Sequence, residues 1–185
     1  PSWSNFTKPG DGAIDRYKKL RERKKRVPPM HFIKGNPAGL LEYDEQVKLI
    51  GKMPEESKKY FVKHFMWNNN DRTIFDRVTS QFAIHYLFDS EQSWMNVCAN
   101  INQYLREGGI LLLTTFDGNI IKEKLKDKDK YTITYDDNGN KRIFCEIVKK
   151  YNDNDKNPYG QAIDVHNGWI SEEGVYETEY LVYPE

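Results

Sequence analysis

Seven consecutive residues, Ser80-Gln81-Phe82-Ala83-Ile84-His85-Tyr86, gather an amide, an imidazole, a phenol and a further aromatic ring directly behind a strand-like run, Ile74 to Thr79. In open α/β sheets ligands bind outside the carboxyl ends of the strands, so this placement turns Gln81, His85 and Tyr86 toward a ligand crevice. Such groups hydrogen-bond and stack, and no nucleophile–base pair stands among them. The segment reads as a binding site. The remaining histidines, His31, His64 and His166, are too scattered for a metal-ligand spacing, and no metal is expected. Cys98 and Cys145 are the only cysteines. Cys98 falls on the apolar stripe of a predicted helix, which argues against a disulfide framework and for a reducing compartment.

The elements that must hold this segment follow from the pattern around it. With 185 residues the chain has one domain's worth of length. Net charge is formally zero, yet eight of the eleven residues from Arg16 to Arg26 are Lys or Arg, so one short stretch is strongly basic. No stretch is long and apolar enough to span a bilayer, and no membrane partner is expected. Asp11-Gly12 leads into a helix over 13–25, stopped by Pro28-Pro29. Met30 to Ile33 reads as a short buried strand ended by the turn Gly35-Asn36-Pro37, which puts Asn36 at a strand's carboxyl end. A helix is expected over 55–67, before Asn68-Asn69-Asn70. Asp89-Ser90 can cap a helix in which Trp94, Val97, Cys98, Ile101 and Leu105 recur at helical spacing, with Gly108-Gly109 ending it. Ile110 to Thr115 then reads as a central parallel strand buried on both faces. A short helix over 120–130, a hairpin around Asp137-Asn138-Gly139, and strands over 162–166 and 178–183 complete the chain.

The motif at 80–86, the amphipathic helix behind it and the run Gly108 to Thr115 together resemble the messenger-RNA cap guanine-N7 methyltransferases. Glu179-Tyr180-Leu181-Val182-Tyr183-Pro184 and the pair Arg16-Tyr17 are similar to two further signatures of that family, in the family's order. The Asn- and Lys-rich loops look most like the capping enzymes of large DNA viruses. The resemblance implies a Rossmann-like class I α/β fold, a mostly parallel sheet with helices on both faces and an added hairpin. It places Pro1 just past the fold's second strand. It therefore implies that 1–185 is an internal fragment of a single methyltransferase domain, with the first strand, its Gly-rich cofactor turn and the final strands lying outside.

By the same resemblance, S-adenosylmethionine is the cofactor, contacted by Asn36, Gln81 and Tyr86, and 5′-capped RNA is the substrate, contacted by Arg16, Phe82, His85 and Glu179. Other domains or subunits of a capping enzyme are the implied partners. A cytoplasmic factory or virion is the implied setting for a viral enzyme, the nucleus for a cellular one. Two positions depart from the family's pattern. Asn36 stands where an Asp typically meets the adenine amino group, and Phe116 where Pro often follows two threonines. Asn keeps a carbonyl acceptor and loses the charge. N7 of guanine carries a free lone pair and loses no proton when methylated, so no general base is needed and binding groups suffice. A small-molecule methyltransferase of the same fold and an inactive subunit that stabilises a catalytic partner are the alternative readings. The basic helix and Glu179 favour RNA over a small molecule.

Overall fold

The computed structural model describes residues 4–24, 26–65, 73–169 and 174–184. They form two compact units, 1–73 and 74–185, each described here by itself.

The first unit is helical. Helix α1 spans Ser4–Thr7, α2 Ala13–Arg23, α3 Tyr43–Ile50 and α4 Glu55–His64. Helix α2 follows the expected boundary at its start and ends at Arg23; Lys25 lies outside the described residues. It buries none of its residues, as its charge pattern requires. Instead the Tyr17 hydroxyl donates to the Pro28 carbonyl at 3.0 Å and accepts from the Met30 amide at 3.2 Å, tying the following chain alongside. That chain, 30–36, is irregular rather than the expected buried strand, and Met30 is exposed. The reason is that its polar backbone groups find side-chain partners instead of a neighbouring strand: the Lys34 amide donates to the buried Ser57 hydroxyl at 3.1 Å. Helix α4 carries Glu55 and Glu56 in its first turn and Lys63 and His64 in its last, complementing the helix dipole. It packs Phe61 against Phe65 at a ring separation of 5.4 Å. Trp67 and the Asn68-Asn69-Asn70 break lie outside the described residues.

The second unit begins with the expected strand–helix–strand crossover, a Rossmann-like α/β element. Strand β1 is Phe75–Gln81, helix α5 Glu91–Tyr104 and strand β2 Leu105–Thr114, and β1 and β2 pair in parallel with Gln81 opposite Thr114. Ser90 caps α5, accepting from the Ser93 amide at 3.2 Å. Leu105 belongs to β2, not to the helix. A register shift between Phe75 and Arg77 sets Leu105 and Ile110 as their partners, so 106–109, with Gly108 at φ 68°, bulge out of the ladder. Ile110 to Leu113 are exposed, against the expectation of a strand buried on both faces; among the described residues no further strand pairs with the two-stranded sheet.

Helix α6, Gly118–Lys124, shorter than expected, is capped by Asp117, which accepts from the Asn119 amide at 2.8 Å. The hairpin is the first half of a larger antiparallel sheet, ordered β3 (Lys130–Asp137), β4 (Asn140–Lys149), β5 (Ala162–Asn167) and β6 (Glu177–Tyr180). Its turn has Asn138 at φ 55° and Gly139 at φ 87°, the pair of left-handed positions a two-residue hairpin favours. Strand β6 ends at Tyr180, short of the expected Tyr183. Leu181 and Val182 are nonetheless buried. Leu181 joins Ile121, Leu125, Cys145, Ile147, Ile163 and Val165 in one core, and Val182 joins Ile84, Phe88 and Val97 in a second. The segment after β6 thus locks the sheet, α5 and the 80–88 motif together.

Gly168 is where β5 leaves the sheet closest to its neighbour. A Cβ there would lie 2.1 Å from the Ile143 carbonyl oxygen, while the Gly168 amide donates to Phe144 at 3.0 Å. Gly168→Ala must displace backbone and should cost about 1–3 kcal/mol of stability in chemical denaturation. A variant as stable as the parent would contradict this packing.

Candidate functional site

The chain leaves β1 at Gln81 and turns at once. Phe82 adopts φ 46°, in the left-handed region that is rare for a bulky residue and is held here by its amide donating to the Thr114 carbonyl at 2.8 Å. This turn leaves the Phe82 ring exposed, 5.6 Å from the ring of Phe116. The Gln81 side chain is exposed at the strand's end, where its carbonyl accepts from the Thr114 hydroxyl at 2.5 Å. The turn also feeds Ile84–Leu87 into a single 3-10 turn that packs against β6.

That packing buries two ionisable groups against each other. His85 is 3% exposed and Glu179, on β6, 5%. His85 Nε2 lies 3.6 Å from a Glu179 carboxylate oxygen, too long for a hydrogen bond, and both ring nitrogens of His85 are buried with no hydrogen-bond partner among the described residues. Burial pushes the His85 imidazole down to about 4 and, with the nearby charge of Glu177 adding a smaller push, raises the Glu179 carboxyl to about 7. The Tyr86 ring stands edge-on to His85 at 4.2 Å. Burial, then the charges of Glu179 and Glu177, raise its hydroxyl too.

A second buried carboxylate on the same sheet shows what a purely structural glutamate looks like. Glu146 on β4 accepts hydrogen bonds from the Tyr176 hydroxyl, from Thr132 at 2.8 Å, and an ion pair from Lys130 at 3.1 Å. Burial opposes its charge, but those three partners outweigh it and hold the carboxyl below its ordinary range. Among the described residues Glu179 has no such set of donors. A buried carboxylate without donors, facing a buried imidazole without partners, is a place where a ligand's hydrogen-bond donors would complete the structure.

The structure therefore brings His85, Tyr86 and Glu179 together, with Gln81 and Phe82 four and three residues before His85 on the same turn. Arg16 and Asn36 belong to the first unit. Arg16 is exposed on α2. Asn36 opens a turn rather than ending a strand: its side-chain oxygen accepts from the Ala38 amide at 3.1 Å, and its carbonyl from the Gly39 amide at 3.1 Å. One residue escaped the sequence reading. Gln46, fully buried on α3, accepts from the Asn36 amide at 2.6 Å and donates to the carbonyls of Asn36, at 2.9 Å, and Leu40, at 2.7 Å. It fixes the loop that presents Asn36. A Cβ on Gly35 would come within 3.0 Å of the Phe61 ring and 3.3 Å of that amide oxygen, so the loop lies tight against both.

The profile of the mRNA (guanine-N(7))-methyltransferase domain matches residues 13–185. The chain is 45% identical over 95% of its length to a probable mRNA-capping enzyme of Acanthamoeba polyphaga mimivirus, of which it covers 15%. It is 38% identical over 29% of its length to an mRNA cap guanine-N(7) methyltransferase of Candida albicans, covering 11% of that protein. The chain thus spans a small part of the curated relatives it matches. Among solved structures, an S-adenosylmethionine-dependent methyltransferase from Clostridium acetobutylicum aligns with 93% of this chain and 55% of its own, at 12% identity and a TM-score of 0.44, a level that fixes neither fold nor function. No described helix is long and apolar enough to cross a membrane.

The buried pair makes opposite demands on pH. Between about pH 4.5 and 7 the folded chain holds a proton on Glu179 that the unfolded chain has released, so this group's contribution to stability falls as pH rises through that window. His85 acts the other way. Between pH 6.5 and about 4 the unfolded chain takes up a proton that the folded chain refuses, so stability falls on acidification. Glu179→Gln should raise stability at pH 8 by about 1–3 kcal/mol, change it little at pH 5, and leave the fall below pH 6.5 in place. Denaturant titrations from pH 8 down to pH 4 check this. A loss of stability at pH 8 would contradict the unpartnered carboxylate.

Proposed function

The chain belongs to the mRNA (guanine-N(7))-methyltransferase domain family, and from that premise we propose that it transfers a methyl group to N7 of the 5′ guanosine cap of mRNA, as part of a larger capping enzyme of a large DNA virus. Such an enzyme works in the cytoplasmic viral factory or in the virion. The observation that carries the reading is the buried Glu179 carboxylate, with no hydrogen-bond donor among the described residues, facing a buried His85 whose ring nitrogens have no partner among them. Guanine presents N1–H and its exocyclic amine as two parallel donors, and a carboxylate accepts both. Adenine lacks that pair. His85 offers a second polar contact to the base, and Phe82, exposed beside Phe116, a stacking face for it.

S-adenosylmethionine, the family's methyl donor, supplies the activated methyl on its sulfonium. Gln81 and Tyr86 are the second-unit residues that would hold it, and Asn36 is assigned to its adenine by resemblance. The Asn36 side-chain oxygen already accepts one backbone hydrogen bond, so it has one lone pair left for the adenine amine. The chain has no proton to move at N7. Its residues work by holding the guanine in line, which can lower a barrier by about 7–11 kcal/mol at best. Arg16 would meet the cap's triphosphate bridge, and the other cations of its helix gather RNA phosphates.

Methylation assays on capped RNA test this reading in the intact enzyme. Glu179→Gln sets an amide donor against guanine's donors and should lower activity roughly a hundredfold or more. Glu179→Asp, with both acceptors drawn back by one methylene, should retain more, and an adenosine-capped RNA should be a poor substrate of the parent enzyme. Near-normal activity of the Gln variant would remove Glu179 from the guanine pocket. Arg16→Ala should weaken capped-RNA binding and reduce its salt slope by about one phosphate contact, with cofactor affinity unchanged. An unreduced slope in titrations at several salt concentrations would make Arg16 part of a solvated face.

A further inference from the structure

The antiparallel sheet places Glu179 and a row of exposed aromatic rings on one face. Cross-strand partners in a ladder share a face, and side chains alternate along each strand. Glu179 pairs with Ile163 on β5, which pairs with Lys149 on β4; two rows along, Glu177 pairs with Val165 and Val165 with Ile147. Two further, Asn167 pairs with Cys145, and Cys145 with Ile133 on β3. Beyond that row the apolar face comes out from under its cover. Tyr135, Phe144 and Trp169 are 45%, 45% and 54% exposed, and Ile133 beside them is exposed as well.

The three rings form a continuous ladder. Phe144 and Trp169 are tilted 31° with centroids 4.5 Å apart, and Tyr135 stands edge-on to Phe144 at 6.3 Å. Their positions are built in rather than incidental. Phe144 occupies the bulge created by the register shift between Ile133 and Thr134, and Trp169 follows Gly168, whose amide binds the Phe144 carbonyl and whose hydrogen side chain is the only one the Ile143 carbonyl permits. Exposed Lys141 and Arg142 end the ladder at the hairpin turn, Arg142 held by Asp137 at 2.7 Å.

We propose that Tyr135, Phe144 and Trp169 are a stacking platform for the bases of the RNA that follows the cap. The proposal rests on the reading of Glu179 as the guanine contact. The platform continues that contact's own sheet face. Four residues of strand separate the Glu179 row from the Asn167 row, about 13 Å at the usual rise, so the ladder lies beyond the reach of the cap guanine itself and within reach of the nucleotides attached to it. Every base has a π-face, so a platform of this kind accepts any sequence, as a capping enzyme's substrate requires, and Lys141, exposed at its end, suits a phosphate between the stacked bases.

Equilibrium binding of a cap dinucleotide analogue and of a capped ten-nucleotide RNA to the intact enzyme tests the proposal. Trp169→Ala should weaken binding of the capped RNA about tenfold or more and leave the dinucleotide's affinity unchanged, with Trp169→Phe recovering most of the loss. Thermal melts of both variants confirm that the fold is kept. Equal loss for both ligands, or no loss for the RNA, overturns the platform; so does an RNA affinity that is intact while association with a partner protein is lost. A dinucleotide affinity left unchanged by Glu179→Gln would instead overturn the assignment of Glu179, which keeps the two readings distinguishable.

Discussion

The fold of the second unit turns on taking one carboxylate and one imidazole out of water, face to face, without a hydrogen bond between them. Burying an ionisable group costs free energy unless partners replace its hydration. Glu146 shows that this sheet can provide those partners, with a tyrosine, a threonine and a lysine converging on one carboxylate. Glu179 is left without them, and burial moves it toward its neutral form just where physiological pH lies. Marginally stable proteins retain such a cost where function needs it. For the proposed guanine contact, an acceptor already out of water makes each hydrogen bond worth more than it would be in water.

The rest of the unit serves to keep that pair in place. The strand–helix–strand crossover aims the chain at the end of β1, the left-handed Phe82 turns it, and the 3-10 turn drives His85 inward. From the other side, Leu181 and Val182 anchor β6 in two cores at once, which fixes Glu179 two and three residues before them. The motif and the C-terminal signature are far apart in sequence, yet they meet where the 3-10 turn packs against β6.

Much of this was legible in the residues, and what was not has physical reasons. Ser90 as a cap, the Asn138-Gly139 turn and the parallel pairing of β1 with β2 follow from local chemistry and periodicity, and all appear. The stretch at Met30 to Ile33 has strand-like composition, but a strand needs a neighbour to bond, and Ser57 and Tyr17 answer its backbone instead. Leu105 keeps helical spacing, yet the chain extends at that residue to pair with Phe75, a tertiary demand that overrides periodicity. Helix α3 was readable after all, from Asp44 and Glu45 at its start and from Gly51, at φ 68°, at its end. The role of Gln46 on it was not, because an isolated glutamine gives no sign that three backbone groups will close around its amide. Gln81, His85 and Tyr86 stand out from their place behind a strand, while Arg16, Asn36, Phe82 and Glu179 are assigned by resemblance, and no pattern in the sequence tells that His85 and Glu179 are buried without hydrogen-bond partners among the described residues.

Proton release on cap binding tests the central claim most directly. If Glu179 is held near neutrality in the free protein and must ionise to accept guanine's two donors, calorimetry of cap-analogue binding at pH 6.5, in buffers of different ionisation heat, should show release of a large fraction of one proton. The release should fade by pH 9 and be absent in Glu179→Gln. Binding with no proton release at pH 6.5 would mean that Glu179 is already charged or does not meet the guanine, and would contradict the account.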